Sequence, residues 1–500
     1  MRFSKWILVL TMLGLGSVLW AQTATIRVPG DAPTIPDAIS QASSIINGSA
    51  PSDVVIKVDP GTYEGPFNLS QINNPNYSVS LIASSGPTVT LLERPVHSGN
   101  VLGGYGVRNF TLDGFSVRNR STDPVNVGAS GMSLTDSTNI TVQNCSFDVT
   151  RQAMLFYVTD PALSSRVQVV NNLVIAGDTN ESPAFLYGNG VTLQMDMYNF
   201  APSIGDNRLV VTDNTLRTGA SAVRFLHIVY DEFDNQIGTG AGGSLEMVRN
   251  DVISWFAAGH NVFGGHNHYV AANHIHDGQT GFSSGCAGPG VWENNLIDNN
   301  IQGAIFGFCL GFQSQMTGEA RIFRNNTVVN NKGTGFIYAD TGAPHDPFPQ
   351  VYNNVIAFND YSGIITLLSD FNTRAYAPYD LGLNRNDVYG NTLRGVLDSN
   401  MYILTGTTGT PGANYSGIVP NGKDLSVEPG FYDSVRRDFS LKKNSKLVDT
   451  GLVTLPVPLR DFVLSKRDSK PDIGAYEYVE ASNLNLRSNP TKRGNSPRMD

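Results

Sequence analysis

The sequence predicts an all-β protein built as a solenoid of stacked parallel strands. Short Val/Ile-rich runs recur along the 500-residue chain, each followed by an Asn and then, two positions later, by an apolar residue. A second set of short strands follows, each introduced by Gly or Ala, and helix-forming patterns are scarce. Repetition at intervals of roughly 20 to 45 residues is typical of solenoids, because one repeat cannot bury its apolar face alone.

The recurring Asn positions define a ladder that extends over most of the chain. Its predicted members are an Asp113 equivalent, Asn144, Asn171, Asn214, Asn250, Asn273, Asn294, Asn326, Asn353 and Asn386. Side-chain amides stacked at a turn can hydrogen-bond the next coil and satisfy polar groups where the chain bends. We therefore expect the ladder to be structural rather than catalytic.

The first residues have the pattern of a secretory signal. Arg2 and Lys5 precede an apolar run that is too short to span a bilayer comfortably, and no later run reaches the roughly 20 apolar residues of a membrane helix. We expect an exported protein, secreted or in the periplasm or at the cell surface, with no integral membrane segment in the mature chain. With a net charge of -9, the chain offers no basic surface for nucleic acid.

The chain is predicted to form a stack of coils with a covering segment at each end. Apolar positions between Thr34 and Ile46 have helical spacing, with Thr34 as the N-cap, and a single helix ahead of a β-solenoid is expected to cover its first coil. The closing segment is expected to cover the unpaired strand edges at the other end. The predicted divisions are a signal at 1–21, the N-terminal cap and first coils at 22–110, about ten coils at 111–400, the closing segment at 401–480 and a disordered tail at 481–500.

Two segments carry a family resemblance. The opening from Val28 to Tyr63 contains Thr34-Ile-Pro-Asp-Ala-Ile39, and the end contains Asp472-Ile-Gly-Ala-Tyr-Glu-Tyr478. Together with the Asn repeat, these segments resemble the exported bacterial proteins of the pectate lyase-like superfamily. The resemblance implies a single-stranded right-handed parallel β-helix. It does not imply one activity, since this superfamily holds lyases, hydrolases, esterases, epimerases and non-enzymes.

The strands introduced by Gly or Ala are predicted to place one residue each on a common face. The residues two places after the Gly or Ala are Ser133, Leu155, Thr192, Arg224, Asn261, Ser283, Ile305, Ile337 and Ile365. If this face is outward, Arg224 and Asn261 lie on neighbouring coils. They could then neutralise the carboxylate of a uronate sugar, so that the proton beside it can be removed and the glycosidic bond eliminated. The alternative is that Arg224 pairs with nearby acidic residues in a surface ion network.

Five of the eight histidines fall between residues 260 and 276. Imidazoles are good zinc ligands, but no His-Glu-x-x-His spacing is present, so a catalytic or substrate-binding role is favoured over a metal site. The predicted catalytic residues are Arg224, His227, His260 and His266. The predicted substrate-binding residues are Asn261, Thr192, Ser283, His268 and Tyr338.

Acidic residues near Arg224 supply two further possibilities. Asp231, Glu232 and Asp234 could hold Ca²⁺, the candidate cofactor, through oxygen ligands. The same three residues, with Asp196 and Asp206, are candidates for the two carboxylates that glycoside hydrolysis needs. Cys286 and Cys309 follow their Gly residues at similar distances, so they are expected on neighbouring coils, either as a disulfide or as packed thiols.

The sequence therefore predicts a carbohydrate-active protein, a polysaccharide lyase or a glycoside hydrolase, whose partner is an acidic polysaccharide. The alternative is a non-catalytic cell-envelope or adhesion β-helix that binds glycan or protein through displayed loops. In both cases we expect a monomer.

Overall fold

The computed structural model describes most of the chain. The described residues are 23–94, 99–120, 130–177, 193–199, 206–230, 236–239, 242–255, 258–284, 288–306, 313–314, 321–340, 350–368, 383–393, 396–397, 401–405, 410–411 and 424–480. The predicted signal, tail and Cys286–Cys309 pair lie outside them. Three long sheets run along one stack, and the strands that successive coils contribute to each sheet are parallel. This confirms the predicted parallel β-helix, and the handedness of crossovers between parallel strands makes it right-handed.

Each coil passes through sheet A, then sheet B, then sheet C. Sheet A has 12 strands: Ala24–Val28, Val54–Val58, Val79–Ala83, Arg108–Asp113, Thr138–Gln143, Arg166–Val170, Arg208–Thr212, Ser244–Val248, His268–Ala271, Gly290–Glu293, Arg321–Arg324 and Gln350–Tyr352. Sheet B also has 12 strands: Gly61–Glu64, Thr90–Glu93, Ser116–Asn119, Ser146–Val149, Leu173–Ala176, Thr215–Thr218, Asp251–Ser254, His274–His276, Leu296–Asp298, Thr327–Val329, Val355–Ala357 and Asp387–Tyr389.

Sheet C extends over the same coils. Its parallel strands are Phe67–Asn68, Asn100–Tyr105, Ser130–Thr135, Gln152–Val158, Leu193–Asn199, Val223–Tyr230, His260–Phe263, Thr280–Ser284, Gln302–Phe306, Phe336–Asp340, Ile364–Leu368 and Met401–Thr405. Thr410–Pro411 pairs antiparallel with the last of these. Gln236–Thr239 pairs antiparallel with the end of Val223–Tyr230, and Gln313–Ser314 pairs parallel with Gln236–Thr239. Two small hairpins complete the strands, Thr392–Leu393 with Val396–Leu397 and Phe431–Asp433 with Asp438–Leu441.

The predicted N-terminal helix is confirmed at Ile35–Ile46. Thr34 Oγ1 accepts a hydrogen bond from the Asp37 N–H at 3.2 Å, which makes Thr34 the N-cap, and Pro36 occupies the first turn, where its missing N–H does no harm. The buried side of the helix packs against the first strands of sheets A and C. Among the described residues, no helix has the length and apolar character needed to cross a membrane.

A buried ladder of Asn side chains lies at the turn from sheet A to sheet B. Its members are Asn172, Asn214, Asn250, Asn273, Asn295, Asn326, Asn354 and Asn386. From Asn214 onward, each Oδ1 accepts hydrogen bonds from the backbone N–H and the side-chain amide of the preceding rung. Each Nδ2 also donates to a backbone carbonyl of that preceding coil, as Asn326 Nδ2 does to Trp292 O at 2.9 Å.

The predicted ladder is thus confirmed, with a correction where two Asn residues are adjacent. At Asn171, Asn294 and Asn353 the buried rung is the following residue, and at Asn144 the rung position is Cys145, whose N–H donates to Asn172 Oδ1. The residue before each rung has a left-handed backbone, with φ of 54° at Asn171 and 55° at Asn353. Asn tolerates this conformation, so the first Asn of a pair makes the bend and the second supplies the buried amide.

A second Asn ladder, which the sequence analysis missed, lies at the turn from sheet B to sheet C. Its members are Asn300, Asn331, Asn359 and Asn391, and their amides are joined in the same way. Each lies five residues after a rung of the first ladder. The separation is constant because the strand of sheet B between the two turns has three residues in each of these coils. This regular spacing was visible in the sequence.

The closing segment adds one rung and then folds back. Asp424 Oδ1 accepts hydrogen bonds from Asn386 and so ends the first ladder. The residues beyond it pack along the outward surface of sheet B, where Leu296 and Val355 share an apolar cluster with Phe439, Leu447, Ile473 and neighbouring side chains. The segment was expected across the open end of the stack. It lies on the flank because the outward positions of sheet B in these coils are apolar and need cover.

The first ladder leads to a prediction that compares two adjacent residues. Asn172 is 3% exposed, and Asn172→Ala leaves the Cys145 N–H and the Val142 carbonyl without their partner. We expect this change to lower the free energy of unfolding by about 2 to 4 kcal/mol. The control is Asn171→Gly, which keeps the left-handed turn and removes an exposed side chain with one surface hydrogen bond to Asn144 Oδ1, 2.7 Å long. The expected change is within about 1 kcal/mol. Urea denaturation measures both, and equal shifts would contradict a structural ladder.

Candidate functional site

The outward face of sheet C carries a row of polar residues on four successive coils. Val223 and Phe225 are fully buried, so Arg224 between them points outward, and its side chain is half-buried. Gln194, Arg224, Asn261 and Ser283 are in register across adjacent strands. The predicted neighbours Arg224, Asn261 and Ser283 are therefore brought together. We call these four positions the polar row.

The member of this row before Arg224 is Gln194, not Thr192 as the spacing predicted. The prediction was wrong by two residues because it counted from Gly190, and the strand begins at Leu193. A shift of two residues preserves the face of a strand, so a polar side chain still occupies the predicted side. Thr192 itself lies outside the described residues.

The polar row continues into a hydrogen-bonded cluster. Gln152 Nε2 donates to Gln194 Oε1 at 2.9 Å, and Gln194 Nε2 donates to Asp196 Oδ2. Asp196 is 1% exposed and is in register with Tyr157 on the preceding coil. Burial raises the pKa of Tyr157, and the negative charge of Asp196 raises it further. Tyr157 therefore keeps its phenolic proton at neutral pH.

Two guanidinium groups accompany this cluster. Arg151 and Arg224 are both close enough to Tyr157 to oppose the rise of its pKa. The Nε of Arg224 is buried and has no hydrogen-bond partner among the described residues. Among the described residues, two arginines accompany one carboxylate at this place, and their guanidinium groups suit the binding of an anionic group.

His227 does not belong to this outward face. It is fully buried, and its Nδ1 lies 3.0 Å from the Gly242 nitrogen and 3.1 Å from the Gly242 oxygen. Strand alternation places Arg224 outward and His227, three residues later, inward. The predicted catalytic role of His227 is inconsistent with this position, because a polymer on the outer surface cannot reach it.

His268 is also an interior residue, in sheet A rather than sheet C. It is 1% exposed, its Nδ1 accepts from the Leu245 N–H at 3.1 Å, and its Nε2 donates to Gly264 O at 2.8 Å. Its ring packs edge-on against Phe225, with centroids 5.5 Å apart. Burial lowers the pKa of His268 to about 4. The predicted substrate contact is therefore replaced by a structural role.

The other predicted residues are spread over several places. His260 is in register with Val223, and His266, half-buried, lies in the turn between sheets C and A, where its N–H donates to Gly243 O at 2.7 Å. Tyr338 is in register with Phe306, outside the polar row. Asp206 pairs with Arg166 at 4.0 Å beside sheet A. Asp231, Glu232 and Asp234, the predicted calcium ligands, lie outside the described residues.

Sequence reasoning missed Gln152, Tyr157 and Gln194. The sequence did contain a pattern that predicts Gln194 on an outward face. In Leu193-Gln-Met-Asp-Met197, apolar and polar residues alternate as in a strand with one buried face. Among the described residues, the group best suited to a metal ion is Asp251, His274 and His276, on sheet B. It lies on a different sheet from the polar row.

Comparison with known proteins adds a likeness of overall shape. No protein-family model and no curated protein matches the sequence. Among solved structures, the chain is similar to the catalytic domain of a GH87 alpha-1,3-glucanase, with 12% identity, TM-score 0.38 and coverage of 84% of this chain and 68% of that one. It is also similar to the periplasmic alginate epimerase AlgG, with 12% identity, TM-score 0.31 and coverage of 81% and 84%.

A third similar structure is PfbA, a surface adhesin of Streptococcus pneumoniae, with 12% identity, TM-score 0.44 and coverage of 81% of this chain and 100% of that one. All three TM-scores are below 0.5. The chemistry of this chain's site is therefore argued from its own residues.

The interior position of His268 gives a pH-dependent prediction. Its pKa is about 4 in the folded protein and 6.5 when unperturbed, so between these values the unfolded chain binds the proton more readily. This residue's contribution to stability is complete above about pH 6.5 and is lost as the pH falls to 4. The loss amounts to about 3 kcal/mol.

The measurement is urea denaturation of the wild type and of His268→Gln at several pH values. The difference in unfolding free energy between the two proteins is expected to change by about that amount across the window. A difference that stays constant would show that His268 is not a buried neutral imidazole.

Proposed function

We propose that this protein is an exported, carbohydrate-active β-helix protein that binds an acidic polysaccharide along the outward face of sheet C. The observation that carries the proposal is the polar row, with Gln194, Arg224, Asn261 and Ser283 side by side on four coils. Coils are about 4.8 Å apart, so the row extends over about 14 Å along the stack. A row of this kind suits an extended polymer better than a small molecule.

The charges beside the row favour an anionic sugar. Arg224 and Arg151 can neutralise a uronate carboxylate, and Asn261 and Ser283 can bind hydroxyl groups. Gln194 is buried and bonded to Gln152 and Asp196, so it supports the row from beneath. Neutralisation makes the proton next to the carboxylate easier to remove, which is the first requirement of a polysaccharide lyase. Tyr157, protonated at neutral pH, can give its proton to the leaving glycosidic oxygen. His266 is our candidate for the base. His260 is in register with the buried Val223 and therefore has the strand parity of the interior, which is inconsistent with its predicted catalytic role on this face.

Hydrolysis of the glycosidic bond is less well supported than elimination. A glycoside hydrolase uses two carboxylates on either side of the bond. The cluster at Arg224 contains one carboxylate, Asp196, among the described side chains. We therefore propose a lyase, with hydrolysis requiring a second carboxylate such as Asp231, Glu232 or Asp234. These same residues are the proposed ligands of the candidate cofactor Ca²⁺.

A second candidate function is non-catalytic binding, as in an adhesion or cell-envelope protein. The row continues beyond Ser283 into Ile305, Ile337 and Ile365, which are in register on the following coils. Ile305 and Ile337 are partly exposed. An apolar strip on the same face suits contact with a protein or with the apolar face of a sugar ring. We propose a monomer in either case.

Arg224→Ala tests the proposal. On the acidic polysaccharide that the wild type degrades best, we expect kcat/KM to fall by about 100-fold or more, because a group that stabilises the enolate is lost. Activity is measured by the ultraviolet absorbance of unsaturated products and by new reducing ends, which separates elimination from hydrolysis. The matched control is Arg118→Ala, an arginine of sheet B that is 53% exposed and 3.8 Å from Glu93.

Two outcomes would count against this assignment. Full activity in Arg224→Ala would exclude this face as the catalytic site. Binding of an acidic polysaccharide without cleavage, weakened in Arg224→Ala but not in Arg118→Ala, would favour the non-catalytic function.

A further inference from the structure

The outward surface of sheet B carries a second group of polar residues, independent of the polar row. His274 and His276 lie on one strand, and Ile275 between them is buried, so both imidazoles face outward. Asp251 is in register with His274 on the preceding coil, and Asp298 with His276 on the following coil. We call Asp251, His274 and His276 the His–Asp cluster.

Three ligand atoms of the His–Asp cluster converge on one place. Asp251 Oδ1 lies 2.7 Å from His276 Nε2 and 4.0 Å from His274 Nδ1, and the three atoms are within 4.8 Å of one another. Ligand atoms on a tetrahedral zinc ion with 2.0–2.1 Å bonds are about 3.4 Å apart. The two distances bracket this value. The two rings are stacked, with centroids 4.0 Å apart and planes inclined by 25°, so coordination requires the rings to rotate until both nitrogens face the ion.

The other nitrogen of each imidazole is held by a carboxylate. His274 Nε2 lies 2.7 Å from Asp298 Oδ1, and His276 Nδ1 lies 2.6 Å from Asp277 Oδ2. In protein metal sites the ligating His almost always donates its second N–H to a carboxylate or carbonyl, which fixes the ring and its tautomer. Both histidines of the cluster have this arrangement.

Two arginines lie beside the cluster and bind its carboxylates. Arg437, from the closing segment, donates to Asp277 Oδ2 at 2.8 Å, and its Nε lies 3.3 Å from Asp298 Oδ2. Arg217 donates to Asp251 Oδ2 at 2.6 Å and leaves Oδ1 directed at the imidazoles. Three carboxylates and two guanidinium groups therefore surround the two imidazoles, and a metal ion bound here would take the place of the proton between Asp251 and His276.

We propose that Asp251, His274 and His276 bind a divalent transition-metal ion, of which zinc fits the ligand set best. Two imidazoles and a carboxylate are typical zinc ligands, and an ion with three protein ligands keeps a fourth position for water. Solvent can supply that water, because Asp251 is 43% and His274 28% exposed. The ion would join neighbouring coils and, through Asp277, Asp298 and Arg437, the closing segment.

Titration of the purified protein without a polyhistidine tag tests this inference directly. After removal of metals with a chelator, calorimetry is expected to show one Zn²⁺ bound per chain. Co²⁺ is expected to give the visible absorption of a tetrahedral site, and Zn²⁺ to raise the melting temperature. Absence of zinc binding by the folded wild-type protein would overturn the proposal by itself.

Variants then locate the ion. Asp251→Asn and His276→Gln are expected to weaken zinc binding by at least 100-fold, and Asp277→Asn by about 10- to 100-fold because it only orients His276. The matched control is Asp148→Asn. Asp148 is also on sheet B, is 39% exposed and pairs with Arg120 as Asp251 pairs with Arg217. Equal affinities in Asp251→Asn and Asp148→Asn would place the ion elsewhere and contradict the site.

Discussion

Hydrogen bonding inside the Asn ladders is the interaction on which the rest of the structure depends. The chain must bend at each corner of a coil, and a bend leaves backbone N–H and C=O groups that the parallel sheets do not pair. At the first corner, a buried amide such as Asn326 accepts the backbone N–H of the preceding rung and donates to the carbonyl of Trp292. Because each rung bonds the next, the corners of successive coils are held in line.

Alignment of the corners sets the register of all three sheets, and the register creates the candidate site. Arg224, Asn261 and Ser283 come from three different coils, and they become neighbours only because their strands are paired without offset. The same alternation that turns Arg224 outward turns His227 into the interior. Successive residues of a strand face the solvent and the interior in turn. The position of a residue in its strand therefore decides whether its side chain can take part in a surface site, as much as its residue type does.

The closing segment makes the flanks of the stack chemically different. It covers the apolar outward positions of sheet B around Leu296 and Val355. Within the segment, Arg467 forms a buried ion pair with Glu477, 2.9 Å apart. Arg467 also donates a hydrogen bond to Asn294, which holds the segment against the coil beside the first ladder. Its Arg437 reaches the edge of the covered area, where it meets Asp277 and Asp298. The His–Asp cluster therefore lies where the closing segment ends its cover of sheet B, and the polar row lies on another sheet.

The sequence by itself determined the periodic features, because they follow from local chemistry. Asn repeats predicted stacked turns, apolar alternation predicted strands, Thr34 predicted the helix start, and the spacing from Arg224 to Asn261 and Ser283 predicted their alignment. Only the tertiary structure decided which of two adjacent Asn residues is buried, that Gln194 replaces Thr192 in the row, and that His227 and His268 are interior. It also decided that the closing segment lies on sheet B. These outcomes depend on where each strand starts and on which surface needs cover, and both are set by packing between residues far apart in the chain.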